Sequence, residues 1–135
     1  MTQIIKNEHV EVTVSTHGAE LQSVKKDGTE ILWHGDAAYW GRRSPVLFPF
    51  VGQVRDKKYR YQGTEYPMGQ HGFARDMEFE LTGQTEDTLE YRLCDSAATR
   101  EVYPFSFELR IGYRLSGSEL YVDWTVTNPA AENTL

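Results

Sequence analysis

Between Gly69 and Phe79 the chain reads GQHGFARDMEF, an amide, an imidazole, a guanidinium and a carboxylate gathered around a glycine just before a strand-like run. Gly72 permits backbone angles that a Cβ forbids, so the loop can turn sharply and aim its neighbours at one point. His71 can donate or accept a hydrogen bond near neutral pH. Gln70 offers both polarities, and Arg75 presents a fork of donors suited to hydroxyls, carboxylates or phosphate. Phe73 and Phe79 are expected to anchor the loop in the core. Such a set suits a rim that binds a polyhydroxylated ligand. The competing expectation is a plain polar turn, in which Arg75 pairs with Asp76 or Glu78 and His71 caps the turn.

A second stretch, WGRRSPVLFPFVGQVRD at Trp40–Asp56, puts two arginines before an apolar run bracketed by Pro45 and Pro49. Proline cannot donate to a central ladder, so this segment is expected at an edge or rim. Arg42 and Arg43 would then stand at the mouth of a pocket, with Trp40 or Phe48 as an apolar wall. Sugars fit such a site, because hydroxyls meet polar forks and C–H faces meet aromatics. The alternative is that both arginines are solvated and the Pro-Phe segment is core. Glu20 and Asp56 are the acidic residues expected nearest these loops, and neither is placed as a base. His9 reads as exposed, His17-Gly18 as a turn, and His34-Gly35-Asp36 as a turn with Asp36 capping. The histidines lack metal-ligand spacing, so no metal site is expected. No phosphate-binding glycine loop or nucleophile elbow is present.

The elements that must carry these loops show a period of two. Val10, Val12 and Val14 alternate with Glu11 and Thr13, Met77, Phe79 and Leu81 with Glu78 and Glu80, and Leu89, Tyr91 and Leu93 with Glu90 and Arg92. Longer ladders run from Phe105 to Leu115 and from Leu120 to Val126. Each reads as a strand with one buried face. Further strands are expected at Leu21–Val24, Ile31–Trp33, Tyr59–Tyr61 and Glu65–Met68. Turns at Asp27-Gly28, Gln62-Gly63-Thr64, Gly83–Asp87 and Ser116-Gly117-Ser118 separate the runs. Short connections imply antiparallel pairing, and short helical turns are expected near Asp36–Trp40 and Ser96–Arg100. The class is all-β, an antiparallel β-sandwich. The stop at Asn133-Thr134-Leu135, soon after a strong strand, predicts that the chain is part of a larger fold.

Bulk properties bound the rest. A chain of 135 residues with 39% hydrophobic and 25% charged residues fits one domain with a real core. A net charge of -6 argues against a nucleic-acid or anionic-membrane surface. Cys94 is the only cysteine, which excludes an internal disulfide, and it reads as a structural thiol. No leader-like or membrane-length apolar run is seen, so a cytoplasmic location is expected.

Taken in order, GAELQSV at 18–24, ILWHGD at 31–36, YWGRRSPVLFPFVGQV at 39–54, MGQHGFARDMEFEL at 68–81 and YPFSFELRIGYRL at 103–115 resemble the aldose 1-epimerase (galactose mutarotase-like) family. The nearest branch is the LacX-type and hexose-6-phosphate mutarotase-like one. The resemblance implies an incomplete galactose mutarotase-like supersandwich, residues 1–135 forming the N-terminal part of a single domain. It implies no cofactor, and a free aldose or hexose phosphate whose α and β anomers interconvert by acid–base catalysed ring opening. On it, His71, Gln70, Arg75 and Arg43 (or Arg42 with a small shift) are substrate-binding. The family's second histidine, taken as acid, and its late glutamate, taken as base, have no counterpart here, so no catalytic residue is assigned. The other readings are a non-catalytic carbohydrate-binding module, and a structural half that forms a homodimer or pairs with a missing C-terminal half.

Overall fold

The computed structural model describes residues 1–131, with the stop at Asn133-Thr134-Leu135 outside them. The first antiparallel sheet holds β1 (Thr2–Lys6), β2 (Val10–Ser15), β3 (Leu21–Lys26) and β4 (Thr29–Glu30), in that order. A hairpin of β5 (Lys58–Tyr61) and β6 (Thr64–Pro67) follows. The second four-stranded sheet contains β7 (Glu80–Gln84), β8 (Thr88–Cys94), β9 (Glu108–Ser116) and β10 (Glu119–Thr127), ordered β10-β9-β8-β7. Between β8 and β9 lies α1 (Ala97–Val102), started by a capping box between Ser96 and Thr99. Every named strand pairing is antiparallel.

The period of two builds the interior. Val10, Val12 and Val14 of β2 are buried, and so are Leu89, Tyr91 and Leu93 of β8 and Leu109, Ile111, Tyr113 and Leu115 of β9. These two inner faces make an antiparallel β-sandwich. Two buried phenols tie the layers together. The Tyr91 hydroxyl donates to Gln3 Oε1 at 2.6 Å, and the Tyr113 hydroxyl donates to the Ala19 carbonyl at 2.7 Å. Burial pushes both phenol pKa values up, so both remain donors across the working pH range.

Three of the sequence expectations need correction. β1 was not anticipated. Its inward residues are Gln3 and Ile5, and a polar residue on the buried face hides the alternation. The run Ile31–Trp33 is not a strand, since β4 ends at Glu30 and Ile31 is 65% exposed. The helical turns expected near Asp36–Trp40 and Ser96–Arg100 are found, the first as a single turn in which Tyr39 and Trp40 N–H groups both donate to the Asp36 carbonyl and the second as α1. The largest correction is β10. Val122 and Trp124 oppose Tyr113 and Ile111 in register, yet Val122, Trp124 and Val126 are 44%, 46% and 46% exposed. Gaps of about 290 and 190 Å³ separate β10 from Val24, Ile31 and Leu32 on one side and from Leu21, Pro45 and Val46 on the other. The side chains face the right way, but among the described residues no layer reaches them.

Candidate functional site

The loop carrying His71 is fastened by main-chain contacts to two distant segments. Phe73 and Ala74 N–H groups donate to the Phe48 carbonyl at 3.0 and 3.1 Å. Gly72 has φ +76°, and a Cβ there would lie 2.2 Å from that carbonyl oxygen, so only glycine fits. On the other side, the Gly18 turn presses on Arg75. A Cβ at Gly18 would lie 2.5 Å from the Arg75 carbonyl oxygen, and Gly18 N–H donates to the Met77 carbonyl at 2.7 Å. Phe48 and Phe73 then reach the core, where their ring centroids lie 5.2 and 5.9 Å from that of Phe107.

His71 sits half-buried with φ 62°. Its N–H donates to the Gly52 carbonyl at 2.8 Å, and Gly52 N–H donates back to His71 Nδ1 at 2.8 Å. With Nδ1 an acceptor, the neutral ring carries its proton on Nε2. Gln70 beside it is exposed.

Arg75 is largely enclosed, its side chain 17% exposed. Its Nε is buried without a hydrogen-bond partner, 3.8 Å from Asp76 Oδ2. Asp76 Oδ1 accepts from Arg42 Nη2 at 2.9 Å. One carboxylate thus stands between two guanidinium groups. Arg43 lies half-buried and donates from Nη1 to the Gln22 carbonyl at 2.8 Å, while the Ser44 hydroxyl donates to the Leu21 carbonyl at 2.8 Å. These two bonds strap the Arg43 segment to the start of β3.

The polar-turn expectation is partly met, because Asp76 does neighbour Arg75 and the His71 ring does brace a turn. The arginines are not simply solvated, since Arg42 and Arg43 both have partners. Phe48 is 8% exposed and is core, so it cannot be the apolar wall. Trp40 at 50% exposed can be. A cavity of about 340 Å³ adjoins the loop through Gly69, Gly72 and Phe73, and takes no lining from Gln70, His71, Arg75 or Arg43. Glu20 accepts from the Gln22 amide at 2.6 Å, and Asp56 is exposed. His17 Nδ1 lies 2.8 Å from Glu78 Oε1, a bond that holds the Glu78 carboxyl below its usual range. Among the described residues no three His, Cys, Asp or Glu side chains gather as a metal site. Cys94 is free and exposed at the end of β8, and partial burial pushes its thiol pKa up. The Arg42–Asp76 pair, the Gly52–His71 exchange and the Gly18–Arg75 approach had no signal in the sequence, because each joins segments with no local spacing rule between them.

The arrangement is an antiparallel sandwich with a histidine–arginine loop pinned at one edge. The aldose 1-epimerase family profile matches residues 1–135, and the chain belongs to that family. It is 36% identical over 141 residues to the plasmid-encoded protein LacX of Lactococcus lactis subsp. lactis, covering 100% of this chain and 47% of that protein. Its fold superposes with a TM-score of 0.93 and 42% identity on a galactose mutarotase related enzyme from Lactobacillus acidophilus, covering 95% of this chain and 43% of the other. A galactose mutarotase-like protein from Lactobacillus casei gives 0.94 and 34%, covering 98% and 46%. The chain therefore spans about half the length of the curated relatives it matches. No helix of the described residues is long and apolar enough to cross a membrane.

Proposed function

We propose that this chain is the sugar-holding N-terminal part of an aldose 1-epimerase-like protein of the cytoplasm, and that it binds a hexose or a hexose phosphate. His71 Nε2–H donates to a ring or hydroxyl oxygen. Gln70 and the free donors of Arg75 and Arg43 hold the remaining oxygens. The observation that carries the reading is the exchange between Gly52 and His71 Nδ1, which orients the imidazole and dedicates its other nitrogen to a ligand. The two guanidinium groups that flank Asp76 support a ligand that bears a phosphate.

In the reaction proposed for the whole protein, a base takes the proton of the anomeric hydroxyl while an acid delivers one to the ring oxygen. The C1–O5 bond breaks as the C1 carbonyl forms. Rotation about C1–C2 and reclosure give the other anomer. The acid and base are supplied from outside these residues, and this chain binds and orients. The open face of β10 supports a companion reading of the same chain, in which it pairs with a C-terminal half or with a second copy of itself.

Polarimetry and NMR of anomer exchange in glucose and galactose test this. The expected result is no efficient exchange by the 135-residue chain, with saturable binding of hexose or hexose 6-phosphate that His71→Ala weakens at least tenfold. Rapid turnover abolished by His71→Ala would place the catalytic groups inside this chain. Sedimentation reads the pairing, since a strict monomer that no C-terminal half binds would remove that reading.

A further inference from the structure

The outer face of the second sheet carries a polar trough, away from the His71 loop. Gly83 of β7, Glu90 of β8, Gly112 of β9 and Asp123 of β10 stand in one row across the sheet. Around this row lies a cavity of about 390 Å³, walled by Glu90, Arg110, Arg114 and Asp123 and floored by the two glycines. The side chains of Leu89 and Tyr113 are buried on the opposite face, so those residues offer the trough main chain only.

Neither glycine is required by steric crowding at its Cβ position. A Cβ built on Gly112 meets nothing closer than 3.8 Å, and one on Gly83 meets only Glu90 Cβ, at 3.8 Å. Neither residue has a positive φ. Glycine inside a strand weakens it, and marks a bulge or a place where a ligand or another backbone comes close; Gly83 stands at a register shift of the β7–β8 pair, whereas Gly112 stands in a regular run of both its pairings. With strands about 4.8 Å apart, Glu90 and Asp123 stand about 10 Å from each other across Gly112, room for one sugar ring.

The walls are held upright by ion pairs. Arg110 bonds Glu90 Oε1 and Glu108 Oε1, each at 2.7 Å. Arg114 bonds Asp123 Oδ2 at 3.1 Å and lies 4.0 Å over the Tyr121 ring. A guanidinium has five N–H donors and a carboxylate about four lone-pair sites, so each wall keeps capacity for a ligand. The two guanidinium groups and two carboxylates that line the trough cancel, and Glu108, paired with Arg110 from outside the lining, adds one negative charge, so the trough does not favour an anion. It offers donors and acceptors side by side above an uncharged floor. We infer that this trough binds a neutral saccharide unit, with no need of a free anomeric hydroxyl. The inference stands apart from the reading of the His71 loop.

The test is an amide chemical-shift titration of the 135-residue chain with methyl β-glucopyranoside and with trehalose, neither of which has a free anomeric hydroxyl. Saturable shifts are expected at the Gly83, Gly112 and Thr125 amides, unchanged by His71→Ala. Gly112→Val places a Cβ where nothing lies closer than 3.8 Å and adds a β-branched residue to a strand, so its Tm should equal or exceed that of the parent. It should weaken the response at Gly83 and Thr125 at least tenfold. Gly83→Thr gives the same reading if Gly112→Val does not fold. Absence of saturation up to about 50 mM, fifty times a weak 1 mM Kd, overturns the inference, and so do shifts that survive the filling variants. Responses confined to the Gly69 and Gly72 amides would support the loop and overturn the trough.

Discussion

β9 is flanked by two strands that carry the same alternation and meet different fates. Toward β8, Leu89, Tyr91 and Leu93 close against β1 and β2, and two buried phenols bind across the gap. Toward β10, Val122, Trp124 and Val126 line up with the same buried ladder and remain close to half exposed. Alternation therefore reports a strand and the polarity of its faces. Burial depends on a facing layer, whose presence is a property of the whole arrangement. An edge strand with an apolar side is also a template for pairing, which is why β10 is the proposed seam for a partner.

Substitutions on the two sides should separate them sharply. Ile111→Ala on the closed side removes a fully buried side chain and should cost about 2–5 kcal/mol, whereas Trp124→Ala should cost less than about 1 kcal/mol. Chemical denaturation measures both, and equal losses would mean that β10 is covered in solution. Next in size, Tyr91→Phe leaves the buried Gln3 Oε1 without its donor and should cost about 1–3 kcal/mol. Adding Gln3→Leu to that variant should recover part of the loss, and a double-mutant cycle reads the coupling.

The smallest expected effect concerns Asp95, which links β8 to the start of β9. Burial alone would raise its carboxyl pKa, but hydrogen bonds from Arg100 and from Phe107 N–H outweigh this and hold it below the ordinary 3.8. A depressed folded pKa gives stability that is present above 3.8 and is lost as pH falls through the lower folded value. Asp95→Asn should therefore cost about 1 kcal/mol near neutral pH. It should also flatten the acid limb of the stability curve below 3.8, and an unchanged acid limb would count against the assignment.

The ladders at β2, β8, β9 and β10 and the β5–β6 hairpin were legible, because consecutive side chains alternate in type where one face is covered or could be. β1 escaped because Gln3 turns inward to meet a tyrosine 88 residues away, a pairing that no local pattern announces. The same reason hid the partners of the site loop. His71, Gly72 and Arg75 were recognisable as residue types, and Gly72 as a turn. That Gly72 must lie against Phe48, that Asp76 bridges to Arg42, and that Gly52 holds the imidazole all follow from tertiary approach. Arg43 was legible as a rim arginine, while its bond to the Gln22 carbonyl was not.

What underlies the imidazole is almost wholly peptide: the carbonyl of Phe48, both polar groups of Gly52, and the carbonyl of Arg75 beneath Gly18. Peptide groups are common to every residue, so side chains along these segments can drift without moving the ring. The glycines are the exception, since at positions 18 and 72 even a methyl would collide with main chain. Change in this rim is therefore easiest at its exposed side chains, such as Gln70, and forbidden at Gly18 and Gly72, so the position of the imidazole is set by main chain while its surroundings can vary.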